Sequence, residues 1–543
     1  MTNPKDSRAN VVVDARSWQG ELDALWNFIG YDEINYTTTP EGKKTLQKFQ
    51  DFAARPYHVR AHHLLCNGNC RSTPKWGSTN VYIEDKQGAP IYNFEVIDDI
   101  FDTYLDYNLK PFVELGFMPY DLADTGGEYS YGDYRHGGWA YPPKDYDRWY
   151  DLIYKLVEHC KNRYGRREVT SWYWELWNEP DLDFYWQGSI EEYCKLYDYT
   201  AAAFKEVLPE GKIGGPATTG PTEGSQSARW LDEFLKHCLK GKNYYNGQTG
   251  SPLDYVSFHA KGGGFPKAIR PEDDLTSVKR LLSQIEYGLE IIGKYPELEG
   301  IYVNLSECDP DGWAAGGVGD NPQLNFRNTE YYPSYVLTAF KNLLDIAREY
   351  PGDIDALTWA FMFVGERCFE GTRSFTTRGI EKPILNLFKM FAKLGHKRLE
   401  LSSSRSQNPR EYADDYGLQE DPLIDGLASV SGDNKVQILL FCHHDDWTRE
   451  GNYEINLEVK NLPFKKEKAK LTHYRLDADH SNAYREWLRQ DAPDYPSRAQ
   501  KEAIKRREGL ELLEPETKVK LLDNKFKKTI TLPVHGISML IIE

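Results

Sequence analysis

The sequence predicts an α/β chain: a closed (β/α)₈ barrel followed by an accessory β-sandwich that carries a small helical insertion. Three observations predict it. Between residues 26 and 395, short β-rich runs alternate with long amphipathic stretches, the pattern of βα units around a parallel sheet. Beyond residue 396 the long stretches give way to short strands and polar turns, the pattern of a sandwich. A length of 543 residues accommodates one barrel of about 250 residues or more with a smaller module beside it.

In chain order, Val11-Val-Val-Asp-Ala is β-prone, so residues 10–15 are expected to add an edge strand to the sandwich. The barrel is expected over 26–395. Its first strand is placed at 26–31, and the next seven at 57–65, 110–116, 172–177, 212–215, 255–259, 301–305 and 357–363. Amphipathic patterns at 145–164, 190–207, 275–294 and 332–350 supply crossover helices, the first started by Pro142-Pro-Lys-Asp. Eight such strands favour closure over an open sheet. The sandwich is expected over 396–543, with strands at 435–442, 453–459, 529–532 and 537–542. The charged stretch 479–511, which contains Trp487, has helical spacing and reads as the insertion.

Composition narrows the function. Lys and Arg number 66 against 83 Asp and Glu, a net charge of −17. A surface that negative repels phosphate backbones and anionic lipid, which argues against nucleic-acid and membrane partners but not against a neutral ligand. No stretch approaches the roughly 18 apolar residues of a spanning helix. The amino end has no basic-then-apolar leader, so the expected compartment is the cytoplasm, with periplasm or secretion the alternative if a leader was removed. Whether the chain forms a homo-oligomer is left open. Of eight cysteines only Cys66 and Cys70 are close, and no second pair completes a zinc site. Reduced thiols are the default; a Cys66–Cys70 disulfide is the alternative for an exported protein. The 37 tyrosines and 14 tryptophans suit stacking on sugar rings as well as packing.

A barrel does its chemistry at the carboxyl ends of its strands. The fourth barrel strand exits through Trp177-Asn178-Glu179-Pro180, where proline stops the strand and the flanking indoles withdraw the carboxylate from water. The seventh delivers Glu307 to the same rim. Two carboxylates across a barrel mouth are the minimum machinery for glycosidic cleavage: one protonates the leaving oxygen, the other attacks the anomeric carbon or activates water. The competing class is a catalytically silent carbohydrate-binding barrel, against which the presence of both carboxylates counts. Two other motifs fail on context. The Gly-x₄-Gly-Lys of 288–294 lies inside a helical pattern and continues with Tyr295, unlike a phosphate loop. His443-His-Asp-Asp446 ends a sandwich strand and reads as a surface turn rather than a metal site.

With these motifs the sequence resembles glycoside hydrolase family 39, (β/α)₈ retaining enzymes that include β-xylosidases and α-L-iduronidases. The resemblance spans nearly the whole chain. It is carried by Trp177-Asn-Glu-Pro-Asp181, Arg60-Ala-His62, Lys110-Pro-Phe-Val-Glu-Leu-Gly-Phe-Met-Pro119, Gly214-Gly-Pro-Ala217 and the tail segment Asp479-His-Ser-Asn-Ala-Tyr-Arg-Glu-Trp487. It implies that Glu179 is the acid/base and Glu307 the nucleophile, with carboxyl groups about 5–5.5 Å apart. It further implies that Asn178 binds the hydroxyl next to the anomeric carbon, that His62 and His259 line the sugar site, that Trp359 forms its floor and that Glu366 binds sugar hydroxyls. No metal and no cofactor is implied; the partner is a glycoside or oligosaccharide.

Two departures bear on the sugar. Lys261 stands where the xylosidases carry a tyrosine beside the nucleophile, and Arg367 stands where they tend to carry a second acid after Glu366. The iduronidase branch resembles this chain in His259-Ala-Lys261-Gly and in Glu307-Cys-Asp-Pro-Asp-Gly-Trp313; there the lysine contacts the substrate carboxylate. The expectation is a retaining exo-glycosidase. A β-D-xyloside ranks first, ahead of a uronide or another pentoside, with Glu366 the candidate carboxylate to occupy Lys261. Loops 120–141 and 309–327, rich in glycine and aromatics, are expected to wall off one end of the mouth.

Overall fold

The computed structural model describes residues 7–73, 76–125, 138–263, 276–312, 317–360, 366–411 and 421–543. After an amino-terminal strand β1 (Arg8–Glu21) come the barrel strands: β2 (Phe28–Tyr31), β3 (His58–Ala61), β4 (Lys110–Leu115), β5 (Tyr173–Leu176), β6 (Lys212–Thr218), β7 (Tyr255–Lys261), β8 (Tyr302–Asp309) and β9 (Ile354–Trp359). They close in sequence order, β9 pairing β2, and the paired strands run parallel. Crossover helices are started by side-chain caps. Asp145 accepts from Asp147 N and Arg148 N at the head of Tyr146–Tyr164, and Ser189 with Glu192 forms a capping box on Ile190–Val207. On the first of these helices Trp149, Leu152, Ile153, Leu156, Val157 and Cys160 are buried, the i, i+3, i+4 stripe that a barrel presents to its outer helices.

The amino-terminal half of the barrel interior is filled by rings. Phe28, Phe112, Tyr255 and Leu357 cluster there with Tyr173 and Tyr302, with Trp359 at the carboxyl end of its strand closing the cluster, and Tyr173 meets Phe28, Tyr255 and Tyr302 at centroid distances of 5.6, 5.6 and 5.3 Å. The opposite half is left to polar side chains. Gly30 permits this layering: it pairs with Trp359 across β2 and β9, and a Cβ on it would fall 2.1 Å from the indole.

The main strands of the accessory sheet are β10 (Lys397–Ser403), β11 (Leu423–Val430), β12 (Val436–His443), β13 (Asn452–Lys460), β14 (Lys468–Leu476), β15 (Phe526–Pro533) and β16 (Ile537–Ile542). They form one ten-stranded sheet in the order Glu511–Leu512, β14, β16, β12, β11, β10, β1, β13, β15, with Thr517–Lys520 paired to β14. The sheet curls on itself as a sandwich does: residues from β12, β13, β14, β15 and β16 share one apolar core. The expected edge strand is instead an interior one. β1 runs antiparallel to β10 on one side and parallel to β13 on the other. Its alternating residues Ala9, Val11, Val13 and Ala15 all point into the shared core, and pairing on both sides satisfies both rows of its backbone groups. Two helices, Ala483–Arg489 and Arg498–Lys505, interrupt the sheet between β14 and β15. Tyr484 and Trp487 of the first pack on Phe369, after the last barrel strand.

His443-His-Asp445 is not a surface turn. All three residues are buried between sheet and barrel. Ser334 Oγ lies 2.8 Å from His443 Nδ1, the Val278 N–H donates to Asp445 Oδ1, and the Tyr331 hydroxyl donates to the Asp445 carbonyl. The cluster is a joint between the two units, and burial pushes the Asp445 carboxyl up to about 8. The eight cysteines are all free. Among the described residues no helix is long and apolar enough to cross a membrane.

The position of β1 generates a prediction. Val11→Asp places an unpaired charge in the sheet core and is expected to destabilise the fold by about 3–5 kcal/mol, the cost typical of an uncompensated buried charge. Urea or thermal unfolding followed by circular dichroism measures it. A change below about 1 kcal/mol would show that β1 is dispensable.

Candidate active site

The polar half of the barrel is built by period-two placement. In a strand, residues i and i+2 face the same side, so His259 and Lys261 of β7 share a face, as do Glu307 and Asp309 of β8. The strand register sets Glu307 beside His259 and Asp309 beside Lys261. Arg60 of β3, Glu114 of β4 and Glu175 of β5 are buried in the same interior. His62 follows β3 and Asn178-Glu179 follow β5. Beyond β5 the chain turns sharply: Trp177 and Glu179 have φ of +70° and +45°, a left-handed conformation that costs a non-glycine residue about 1–2 kcal/mol each. The Glu179 N–H donates to Ala217 O at 2.9 Å and helps hold that turn.

These elements bring Glu179 and Glu307 together. His259 lies between them, its Nδ1 2.8 Å from Glu179 Oε1 and 3.8 Å from Glu307 Oε2. One oxygen of each carboxylate lies within 4.8 Å of the other. Glu307 is more deeply set, with its side chain 6% exposed, against 15% for Glu179.

Charge converges on Glu307. Lys261 Nζ donates to its Oε2 at 2.7 Å, Arg60 reaches its Oε1 at 3.4 Å, and His62 Nε2 lies 3.5 Å from the same oxygen. Burial alone would raise this carboxyl, but His259, Lys261 and His62 outweigh it and hold the group well below the ordinary carboxylate range. Arg60, His62 and Lys261 are themselves compensated. Arg60 donates to Glu175 at 2.6 Å and contacts Glu114 at 3.0 Å. His62 Nδ1 lies 2.6 Å from Glu114; burial would lower its pKa, but Glu114 and Glu307 raise it to about 10, so it is an imidazolium at neutral pH. Lys261 also meets Asp309 at 3.5 Å. The other Asp309 oxygen accepts from Arg327 and from the Tyr332 hydroxyl, both at 3.4 Å.

Asp309, not Glu366, is therefore the carboxylate that competes for Lys261. Glu366 lies on the segment after β9, where it accepts from the Gly371 N–H at 3.0 Å; burial pushes it up to about 7 against the pull of Lys382. Glu366 lies on a different strand's loop, whereas Asp309 shares a strand face with Glu307. Trp359, the last residue of β9, lies edge-on to His62 at 5.4 Å, with Arg373 over its ring at 5.4 Å.

Several buried polar atoms around this cluster have no protein hydrogen-bond partner: Asn178 Nδ2, His259 Nε2, Trp359 Nε1, Arg373 Nε and Asp32 Oδ2. Arg60 donates to Asn178 Oδ1 at 3.0 Å, which fixes the amide with its nitrogen unmet. An unmet buried polar group costs about 1–3 kcal/mol, so a set of them beside two carboxylates suits a ligand bearing several hydroxyls. Glu179, His259 and Glu307 together have the ligand spacing of a metal site. However, Arg60, His62 and Lys261 already crowd Glu307 with positive charge, and a divalent cation there would meet strong repulsion.

Sequence reasoning missed Glu114, Glu175, Asp309, Asp32 and Arg373. The first three were readable in principle, since each is an acid inside a strand that ends at the mouth. Asp32 and Arg373, which approach each other to 3.8 Å, come from segments whose meeting only the closed barrel arranges. Of the loops expected to wall the mouth, residues 126–137 and 313–316, Trp313 included, lie outside the described residues.

Comparison with known proteins places the chain in a family. Residues 9–519 match the glycosyl hydrolases family 39. A β-xylosidase of Caldicellulosiruptor saccharolyticus is 27% identical over 498 residues, 89% of this chain and 88% of its own. An α-L-iduronidase of Mus musculus is 24% identical over 463 residues, 81% and 65% of the two chains. The crystal structure of a monomeric β-xylosidase from Caulobacter crescentus superimposes with a TM-score of 0.77 at 20% identity, covering 98% of this chain and 99% of that one, which shows a shared fold. The chain belongs to glycoside hydrolase family 39 and is a glycosidase of that retaining family.

Proposed function

We propose that the protein is an exo-acting glycosidase that releases a terminal neutral pentose, a β-D-xyloside first among these, with Glu307 as nucleophile and Glu179 as acid/base. Glu307 suits the nucleophile because its neighbours, Lys261 and His62 among them, hold its carboxyl well below the ordinary range. Glu179 suits the acid/base because it faces outward, where the leaving group departs and water enters. In the first step the Glu179 proton passes to the leaving oxygen as Glu307 attacks the anomeric carbon, and the glycosidic bond breaks. In the second, Glu179 takes a proton from water, which displaces Glu307 from the covalent glycosyl-enzyme. The approach of the two carboxylates to within 4.8 Å supports this double displacement. Inversion needs about 6.5–9.5 Å to admit a water.

The observation that carries the choice of a neutral sugar is that Lys261 already sits on two carboxylates, Glu307 and Asp309. Around the site the cations Arg60, His62 and Lys261 face the acids Glu114, Glu175, Glu307 and Asp309, which leaves no surplus positive charge for a substrate anion. A uronide is the second reading. It is favoured by Arg373, a further buried cation outside that set with an unmet donor over the Trp359 floor, and by the likeness to an α-L-iduronidase.

Glu307→Ala is expected to abolish turnover. Glu179→Ala should lose about 10²–10⁴-fold and be rescued by azide on substrates with good leaving groups, while NMR of the first-formed product shows retained anomeric configuration. Loss of activity without azide rescue would remove Glu179 from the acid/base role.

Lys261→Met decides between the sugars. Glu307 is held low partly by Lys261, so its pKa rises in the variant, and the acidic limb of the kcat/KM profile on an aryl β-xyloside moves to higher pH. If the variant instead cripples aryl α-L-iduronide cleavage by roughly 10²-fold or more while sparing the xyloside, the order of the two readings reverses.

A further inference from the structure

We infer that Asp309 is a positioning residue for the covalent step: it takes Lys261 over from Glu307 while the glycosyl-enzyme stands and returns it when the sugar leaves. The inference rests on the proposed role of Glu307 as nucleophile.

Three observations carry it. The first is an unused acceptor. Lys261 Nζ donates to Glu307 Oε2 at 2.7 Å and lies 3.5 Å from Asp309 Oδ2. That Oδ2 is buried and, among the described residues, has no hydrogen-bond partner. An unmet buried carboxylate oxygen is costly, and here a lysine stands just beyond good hydrogen-bond distance from it.

The second is that Asp309 is held still. Its Oδ1 accepts from Arg327 Nη1 and from the Tyr332 hydroxyl, both at 3.4 Å. Arg327 is anchored in turn, its Nε donating to Asp311 Oδ2 at 2.8 Å. On the other side, β7 and β8 pair Lys261 with Asp309 in register, and the Lys261 N–H donates to Gln284 Oε1 at 2.8 Å. With both backbones fixed, the transfer needs only a turn of the flexible lysine stem.

The third is charge. When Glu307 attacks, one of its oxygens bonds to the anomeric carbon. The glycosidic bond breaks, its electron pair goes to the leaving oxygen, and Glu179 supplies the proton. The negative charge thus passes from Glu307 to Glu179. In the remaining network Arg60 faces Glu175, His62 faces Glu114 and Lys261 faces Asp309, one acid to each cation. Attack by water breaks the new C–O bond, returns the pair to Glu307 and draws the lysine back. Without Asp309, Lys261 would stay buried against a neutral ester. The intermediate would then form more slowly and resolve faster.

The test uses the 2-deoxy-2-fluoro analogue of the sugar that the wild type cleaves, with a dinitrophenolate leaving group, so that trapping and release can be timed separately. In Asp309→Asn the trapping rate constant is expected to fall about 10–100-fold, the reach of a charge-assisted hydrogen bond, while release accelerates. Release that fails to rise overturns the inference, whatever the fall in trapping, because a structural loss slows both steps. Should Asp309→Asn fail to fold, the wild type decides. A crystal structure of its trapped form is expected to place Lys261 Nζ within about 3.2 Å of Asp309 Oδ2; a lysine still beyond that reach overturns the inference. Failure of the underlying reading looks different: the wild type would form no trapped species, or fragmentation mass spectrometry would find the sugar on a residue other than Glu307.

Discussion

A single buried carboxylate organises the active half of this barrel. Glu307 is withdrawn from water, and an isolated charge in that position would be expensive. The fold meets the cost by surrounding it with Arg60, His62 and Lys261, and then compensates each of those cations with a second acid: Glu175 and Glu114 for Arg60, Glu114 for His62, Asp309 for Lys261. The result is a network in which every charge has a partner on a different strand. Removing one member of such a network leaves its neighbours uncompensated, typically at 3–5 kcal/mol. The network therefore ties the register of β3, β4, β5, β7 and β8 to the chemistry of the site.

The same constraint explains the division of the barrel into an aromatic half and a polar half. Rings of Phe28, Phe112, Tyr173, Tyr255 and Tyr302 fill the amino-terminal end, so the charges have an apolar layer beneath them and their interactions are strong. Trp359 separates the two layers. It packs on the ring cluster beneath and leaves its indole N–H unmet above. The left-handed turn at Trp177 and Glu179 adds local strain at the strand exit. The rigid strand below and the Ala217 carbonyl beside it hold that strain, which sets Glu179 closer to solvent than Glu307. The two carboxylates thus stand in unlike surroundings, Glu307 deep among cations and Glu179 nearer to solvent.

The accessory sheet is not an appendage to this arrangement. Its buried His443-His-Asp445 segment is anchored to Ser334 and Tyr331 of one outer helix and to the first turn of another at Val278. Through Tyr484 and Trp487 its helical insertion braces Phe369, on the segment that also carries Glu366 and Arg373. The mouth is therefore supported by a unit that contributes none of the charged groups in the Glu307 network.

The sequence by itself determined the class of architecture and the two principal carboxylates. Strand–helix alternation has a period visible in any window of a dozen residues, and Asn178-Glu179-Pro180 and Glu307 stand at strand exits where a barrel must place them. It did not determine what those groups touch. Pairs such as Arg60–Glu175, Lys261–Asp309 and Asp32–Arg373 join residues tens or hundreds of positions apart, and only strand register, barrel closure and loop placement bring them within reach. For the same reason β1 read as an edge strand and His443 as a surface residue. Local pattern reports which face of an element is apolar, but not which element will cover it. The tertiary structure decided those pairings because a buried charge or an unpaired strand is satisfied only by a partner from elsewhere in the chain.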